Sequence, residues 1–102
     1  MLTNEIVLKV FADYLKEDKE YEVILTSHGY TLMGWDDRRQ DWNTSEFCPT
    51  PEALRDALLD SFSGFAEVGF TNGERDLTDA EEARIEAARQ DFIEKCEKEA
   101  GL

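Results

Sequence analysis

Tyr21-Glu22-Val23-Ile24-Leu25-Thr26-Ser27-His28-Gly29-Tyr30-Thr31-Leu32-Met33-Gly34-Trp35 is the stretch that decides the fold. From Tyr21 to Thr26, β-prone residues alternate. Tyr21, Val23 and Leu25 share one face, and Glu22, Ile24 and Thr26 share the other. Tyr30 to Trp35 has the same character. Ser27-His28-Gly29 lies between the two runs, with Gly29 able to take the positive φ of a tight turn, so the runs form an antiparallel hairpin. Asp36-Asp37-Arg38-Arg39-Gln40 makes a second polar turn, and Asp41 to Phe47 follows as a third antiparallel strand.

Helical signals flank this sheet. Upstream, Ile6, Val7, Val10, Phe11, Tyr14 and Leu15 recur at helical spacing behind Thr3 or Asn4 as N-cap, and the helix ends in the charged run Lys16 to Glu20. Downstream, Thr50-Pro51-Glu52-Ala53 is a helix start: threonine caps, proline is preorganised for the first turn, and glutamate suits the positive end of the dipole. Leu54, Ala57, Leu58, Ser61 and Phe62 give that helix one apolar stripe, predicted to run from about Pro51 to Ser63 and to stop at Gly64. Phe65 to Thr71 then reads either as a short edge strand or as an apolar loop packed on the core, before Asn72-Gly73 turns the chain. Thr78 and Glu81 form a capping box that opens a last helix reaching about Glu99. Its apolar face is thin, consisting of Ile85, Ala88, Phe92 and Cys96, and its other faces carry acid–base pairs such as Glu81/Arg84, Glu86/Arg89, Asp91/Lys95 and Glu94/Lys98. The predicted order is α-β-β-(β)-α-(β)-α, an α+β fold in which a short antiparallel sheet of two to four strands packs against two or three helices. Val10, Phe11, Val23, Leu25, Leu32, Leu54, Leu58 and Phe62 are the expected core.

With 102 residues the chain suits one domain with one hydrophobic core. Its 24 acidic and 11 basic residues give a net charge of -13, and both halves are negative. Such a surface repels phosphates and anionic membranes, which argues against direct nucleic-acid or membrane binding and favours a basic partner or plain solubility. The start, Met1 to Glu5, lacks the pattern of a secretory signal and no stretch is long and apolar enough to span a bilayer, so a cytoplasmic setting is expected. Cys48 and Cys96 are then reduced thiols, and their spacing matches no zinc motif.

His28-Gly29-Tyr30-Thr31, Trp35-Asp36, Asp41-Trp42 and Cys48-Pro49-Thr50-Pro51-Glu52-Ala53-Leu54-Arg55 together resemble a group of small uncharacterised acidic proteins of anaerobic gut bacteria and their mobile elements. The resemblance spans most of the chain. It implies a bacterial cytoplasmic setting and brings no catalytic residue with it.

Signals for chemistry are sparse. The single histidine, His28, sits in a turn; pairing with Cys48 would require a thiolate activated by the imidazole or by the following helix, but Pro49 and Thr50 separate the sulfur from the first free helical amides. Asp36, Asp37 and Asp41 crowd one loop, yet they lack the calcium-loop spacing and have Arg38 and Arg39 among them, so no metal is expected. Phosphate loops are absent and no cofactor is called for. Trp35 and Trp42 flank that turn and meet across the strands if the hairpin pairs as read. Ringed by Asp36, Asp37, Arg38 and Arg39, they have the composition of a protein-recognition patch. The sequence therefore predicts a non-enzymatic binding module for another protein, with Ile85, Ala88 and Phe92 as a second candidate surface for homodimerisation. Two alternatives stand beside it: a DNA-mimic inhibitor of a nucleic-acid-binding or defence protein, and a small Cys-dependent enzyme.

Overall fold

Thr3 caps the first helix by accepting the Ile6 N–H at 3.2 Å. The structure, a computed structural model, describes residues 1–101, which form four helices and one sheet of three antiparallel strands. The single N-terminal helix read from the sequence is two segments, α1 (Asn4–Val10) and α2 (Ala12–Glu17), divided where Phe11 takes φ -93° and ψ 4°. Bonds from Phe11 N to Val7 O and from Leu15 N to Phe11 O, both 3.0 Å, carry the ladder through the irregularity. Val7, Phe11 and Tyr14 therefore stay on one buried face.

The strands are β1 (Tyr21–Thr26), β2 (Gly29–Asp36) and β3 (Asp41–Phe47), in spatial order β1-β2-β3. Thr26 pairs with Gly29 across the first turn, where Gly29 has φ 132°. Thr26 Oγ1 locks the turn, donating to Gly29 O at 3.0 Å and accepting from His28 N at 3.1 Å. Tyr21, Val23, Tyr30 and Leu32 lie on the covered face and pack into the core.

The third helix, α3, runs Pro51–Thr71, which corrects two expectations. Gly64 does not stop it, and Phe65 to Thr71 is neither strand nor loop but two further helical turns. A tertiary contact holds this extension, with Phe65 meeting Tyr14 edge-on at 5.6 Å, just beyond Phe62, which meets Phe92 edge-on at 4.9 Å. The actual stop is Asn72, left-handed at φ 55°, whose N–H bonds Val68 O at 2.7 Å. After it, α4 (Asp79–Glu99) opens on the expected capping box between Thr78 and Glu81. Of the acid–base pairs foreseen along α4, Asp91–Lys95 closes at 2.8 Å and Glu86–Arg89 at 3.6 Å, whereas Glu81 turns back to Arg75.

The core lies between the helices and one face of the sheet, with Phe11, Leu54, Leu58 and Val7 fully buried. Leu32 is buried, and Val10, Val23 and Phe62 pack half-buried against this cluster. Leu25 is a correction: it is 65% exposed, because it sits at the hairpin end of β1 and lies outside the cluster that the helices cover. Two polar ties fasten the helices. Arg89 on α4 donates to Leu59 O at 3.0 Å and to Ser63 Oγ at 2.7 Å on α3. The Tyr14 hydroxyl, on α2, reaches Ser61 Oγ on α3 at 2.9 Å. No helix among the described residues is long and apolar enough to cross a membrane.

Candidate functional site: the open face of the sheet

A three-stranded sheet has two faces, and helices cover only one here. The other carries Ile24 from β1, Met33 and Trp35 from β2, and Trp42 and Phe47 from β3, none of which belongs to the core cluster. Ile24, Trp42 and Phe47 are 37%, 36% and 50% exposed. Glu22 is the only charged residue that strand alternation places among them, in a chain of which 34% is charged. Thr26, Thr31 and Ser45 share the face, so it mixes large apolar with small polar side chains and carries little charge.

Trp42 reaches this face through a bulge. Gly34 pairs with Thr44 but Trp35 pairs with Trp42, so Asn43 is an extra residue in β3. Strict alternation from Thr44 would turn Trp42 to the covered side; the inserted residue flips it back beside Trp35. The two indoles meet edge-to-face, with centroids 5.1 Å apart and planes at 76°. At the other end of β3, the Phe47 ring lies against Gly29, where an added Cβ would stand 3.2 Å from its Cε1.

The turn beside the tryptophans is self-contained. Asp36 Oδ1 accepts the N–H groups of Arg38 at 3.0 Å and Arg39 at 3.3 Å; Asp37 Oδ1 accepts from Gln40 Nε2 at 3.0 Å; Asp41 Oδ1 accepts the Trp42 N–H at 2.8 Å. The three carboxylates thus have local donors. Arg38 and Arg39 are exposed and make no ion pair among the described residues, which leaves two guanidinium groups at the rim of the aromatic patch. All six residues proposed for recognition therefore lie together, at the Trp35 end of the open face. Ile24, Met33 and Phe47 were missing from that set, although alternation already opposed Ile24 to Val23.

The second candidate surface is not free. Ile85 is buried, and Ala88 and Phe92 are half-buried. Phe92 stacks on Phe11 at 4.4 Å with planes at 11°. The expected dimer face is therefore corrected: Phe11, between α1 and α2, and Phe62 of α3 pack against Phe92 within the same chain.

The thiols are equally enclosed. Cys48 is buried, and its pKa is raised, first by burial and then by the Glu46 charge; burial also raises that of Cys96. His28 is exposed at the tip of the first hairpin. Comparison with protein-family models, with curated proteins and with solved structures found no match to this chain.

Proposed function

We propose that this protein is a non-enzymatic binding module that holds another protein against the open face of its sheet. The observation that carries the reading is the uncovered set Ile24, Met33, Trp35, Trp42 and Phe47, interspersed with Glu22, Thr31 and Ser45 and with Arg38 and Arg39 in the adjoining turn. Paired tryptophans beside arginines make the kind of anchor that dominates binding energy, since large rigid side chains bury area at small entropic cost. The Cys-dependent alternative loses support because a buried thiol of raised pKa is a poor nucleophile. Nucleic-acid mimicry wants unbroken rows of carboxylates, and α4 interleaves Arg84, Arg89, Lys95 and Lys98 among its acids.

The test is capture from native cytoplasm with the wild-type chain, with Trp42→Ala and Phe47→Asp, and with Glu82→Gln on exposed α4 as control. A partner retained by wild type and control but lost by both face variants supports the reading. Capture that ignores both variants defeats it. Partners that are all basic nucleic-acid-binding proteins, shed steeply as salt rises, would point to mimicry instead. Dimerisation abolished by the same variants would identify a second copy as the partner.

A further inference from the structure

The connection between α2 and β1 and the C-terminal half of α3 enclose a groove of about 470 Å³. Its strand residue, Tyr21, belongs to the covered face, so the groove is a surface distinct from the open face. One wall is apolar, made of Tyr21, Phe65 and Val68, the last 58% exposed. The rest of the lining is mainly acidic: Glu17 ends α2, Glu20 comes from the connection, and Asp60, 3.7 Å from the Arg89 guanidinium, comes from α3, against Lys19 alone among the lining residues.

Two further features concern what would fill it. Asp18, also lining the groove, is 5% exposed; its Oδ2 accepts the Tyr14 hydroxyl at 2.5 Å and its Oδ1 the Glu20 N–H at 3.0 Å. Both donors are neutral, and among the described residues no lysine or arginine pairs with this carboxylate. Buried carboxylates ordinarily have a cation beside them, whereas this one is held by neutral donors alone. Gly64 lies in the interior of α3, where glycine weakens a helix, yet a Cβ added there would meet nothing within 4 Å. Packing within this chain does not require that glycine, or Gly69 further along the helix, and at Gly64 the missing side chain leaves the groove open down to the helix backbone.

We propose that this groove receives a lysine or arginine side chain from a basic segment of a partner protein. Its aliphatic stem lies along Phe65 and Val68, and its head group sits among Glu17, Glu20 and Asp60 with Asp18 behind them. The proposal stands apart from the open-face reading, and either can fail alone.

Amide shifts of the full-length ¹⁵N-labelled chain are followed during titration, in about 0.15 M salt, where the attraction of the overall charge for any cation is screened. The probes are acetyl-Leu-Arg-Leu-amide and its citrulline counterpart, which has the same shape without the charge. Saturating shifts confined to Tyr21, Gly64, Phe65 and Val68, about tenfold weaker for citrulline, are expected. The double change Glu20→Gln with Asp60→Asn weakens the arginine peptide by about tenfold as well. Gly64→Leu, whose Cβ would meet nothing within 4 Å, puts a side chain into the groove and abolishes binding, with no fall in melting temperature. Equal binding of the citrulline peptide, unaltered binding by Gly64→Leu, or shifts scattered over the whole acidic surface would each overturn the proposal. Agmatine binding as tightly as the arginine peptide would overturn the docked segment, since the site would then serve a free amine.

Discussion

Trp35 and Trp42 sit opposite one another on the open face only because Asn43 is one residue more than strand pairing requires. An edge-to-face pair of this kind contributes about 0.5–1.5 kcal/mol beyond its buried area. A double-mutant cycle with Trp35→Ala and Trp42→Ala, read by urea unfolding, is expected to return a coupling in that range. Deleting Asn43 restores strict alternation and turns Trp42 away, so the exciton couplet in far-ultraviolet circular dichroism should vanish while the helical signal stays. A couplet that survives the deletion would show that the bulge does not set the pairing.

The hairpin was legible because alternation is a local property: Val23 and Ile24 face opposite ways whatever surrounds them. The caps were legible for the same reason, with Thr50 accepting from Ala53 N at 3.1 Å and Thr78 from Glu81 N at 3.2 Å. Gly64 misled because a glycine ends a helix only where nothing downstream holds the chain helical, and here Phe65 rests on Tyr14 from another element. Ile85, Ala88 and Phe92 misled in the opposite direction, since a sequence shows how wide a stripe is but not that Phe11 and Phe62 will meet it. Trp35 and Trp42 could be read as a pair, but their exposure could not, because it depends on which face of the sheet the helices choose. The Asp18–Tyr14–Ser61 network leaves no local signature, as Ser61 lies 47 residues from Tyr14.

Cys48 provides a chemical check. Burial and the Glu46 charge raise its pKa, so the thiolate fraction near neutral pH falls below that of a free cysteine. Iodoacetamide at about pH 7 should label the native chain far more slowly than the chain unfolded in guanidinium, at Cys96 as well as Cys48. Rapid labelling of native Cys48 would revive the catalytic thiol.

Arg75 and Glu81 predict how the loop before α4 responds to acid. Two guanidinium hydrogen bonds at 2.8 and 2.9 Å, helped by the Thr78 N–H, hold the Glu81 carboxyl down at about 2. A depressed folded-state pKa means that the contribution is present above the unfolded value of about 4.3 and is lost as pH falls toward the folded one. Glu81→Gln should therefore lower the urea midpoint at pH 7, and the gap from wild type should close between about pH 4.3 and pH 2. A gap that is constant with pH would mean that the charge of Glu81 is not what matters.

Gly34 tests the register of β2 against β3. It is absent from the positive-φ residues, so its backbone does not demand glycine; the demand is steric. A Cβ at this position would run into Thr44 Oγ1, with Asn43 Oδ1 at 3.2 Å and Tyr21 Cε1 at 3.4 Å close by. Overpacking of this kind costs about 1–3 kcal/mol, and Gly34→Ala should destabilise the fold by that much even though alanine is no worse than glycine in a strand. Thr44 lies on β3, where its side chain is exposed and leaves little behind when shortened. Thr44→Ala should therefore be nearly neutral by itself and should recover most of the loss in the double variant, giving a favourable coupling between two positions paired directly across the strands. If the two losses simply add, Thr44 is not the obstruction, and the pairing of Gly34 with Thr44, on which the bulge at Asn43 and the placement of Trp42 both depend, is wrong.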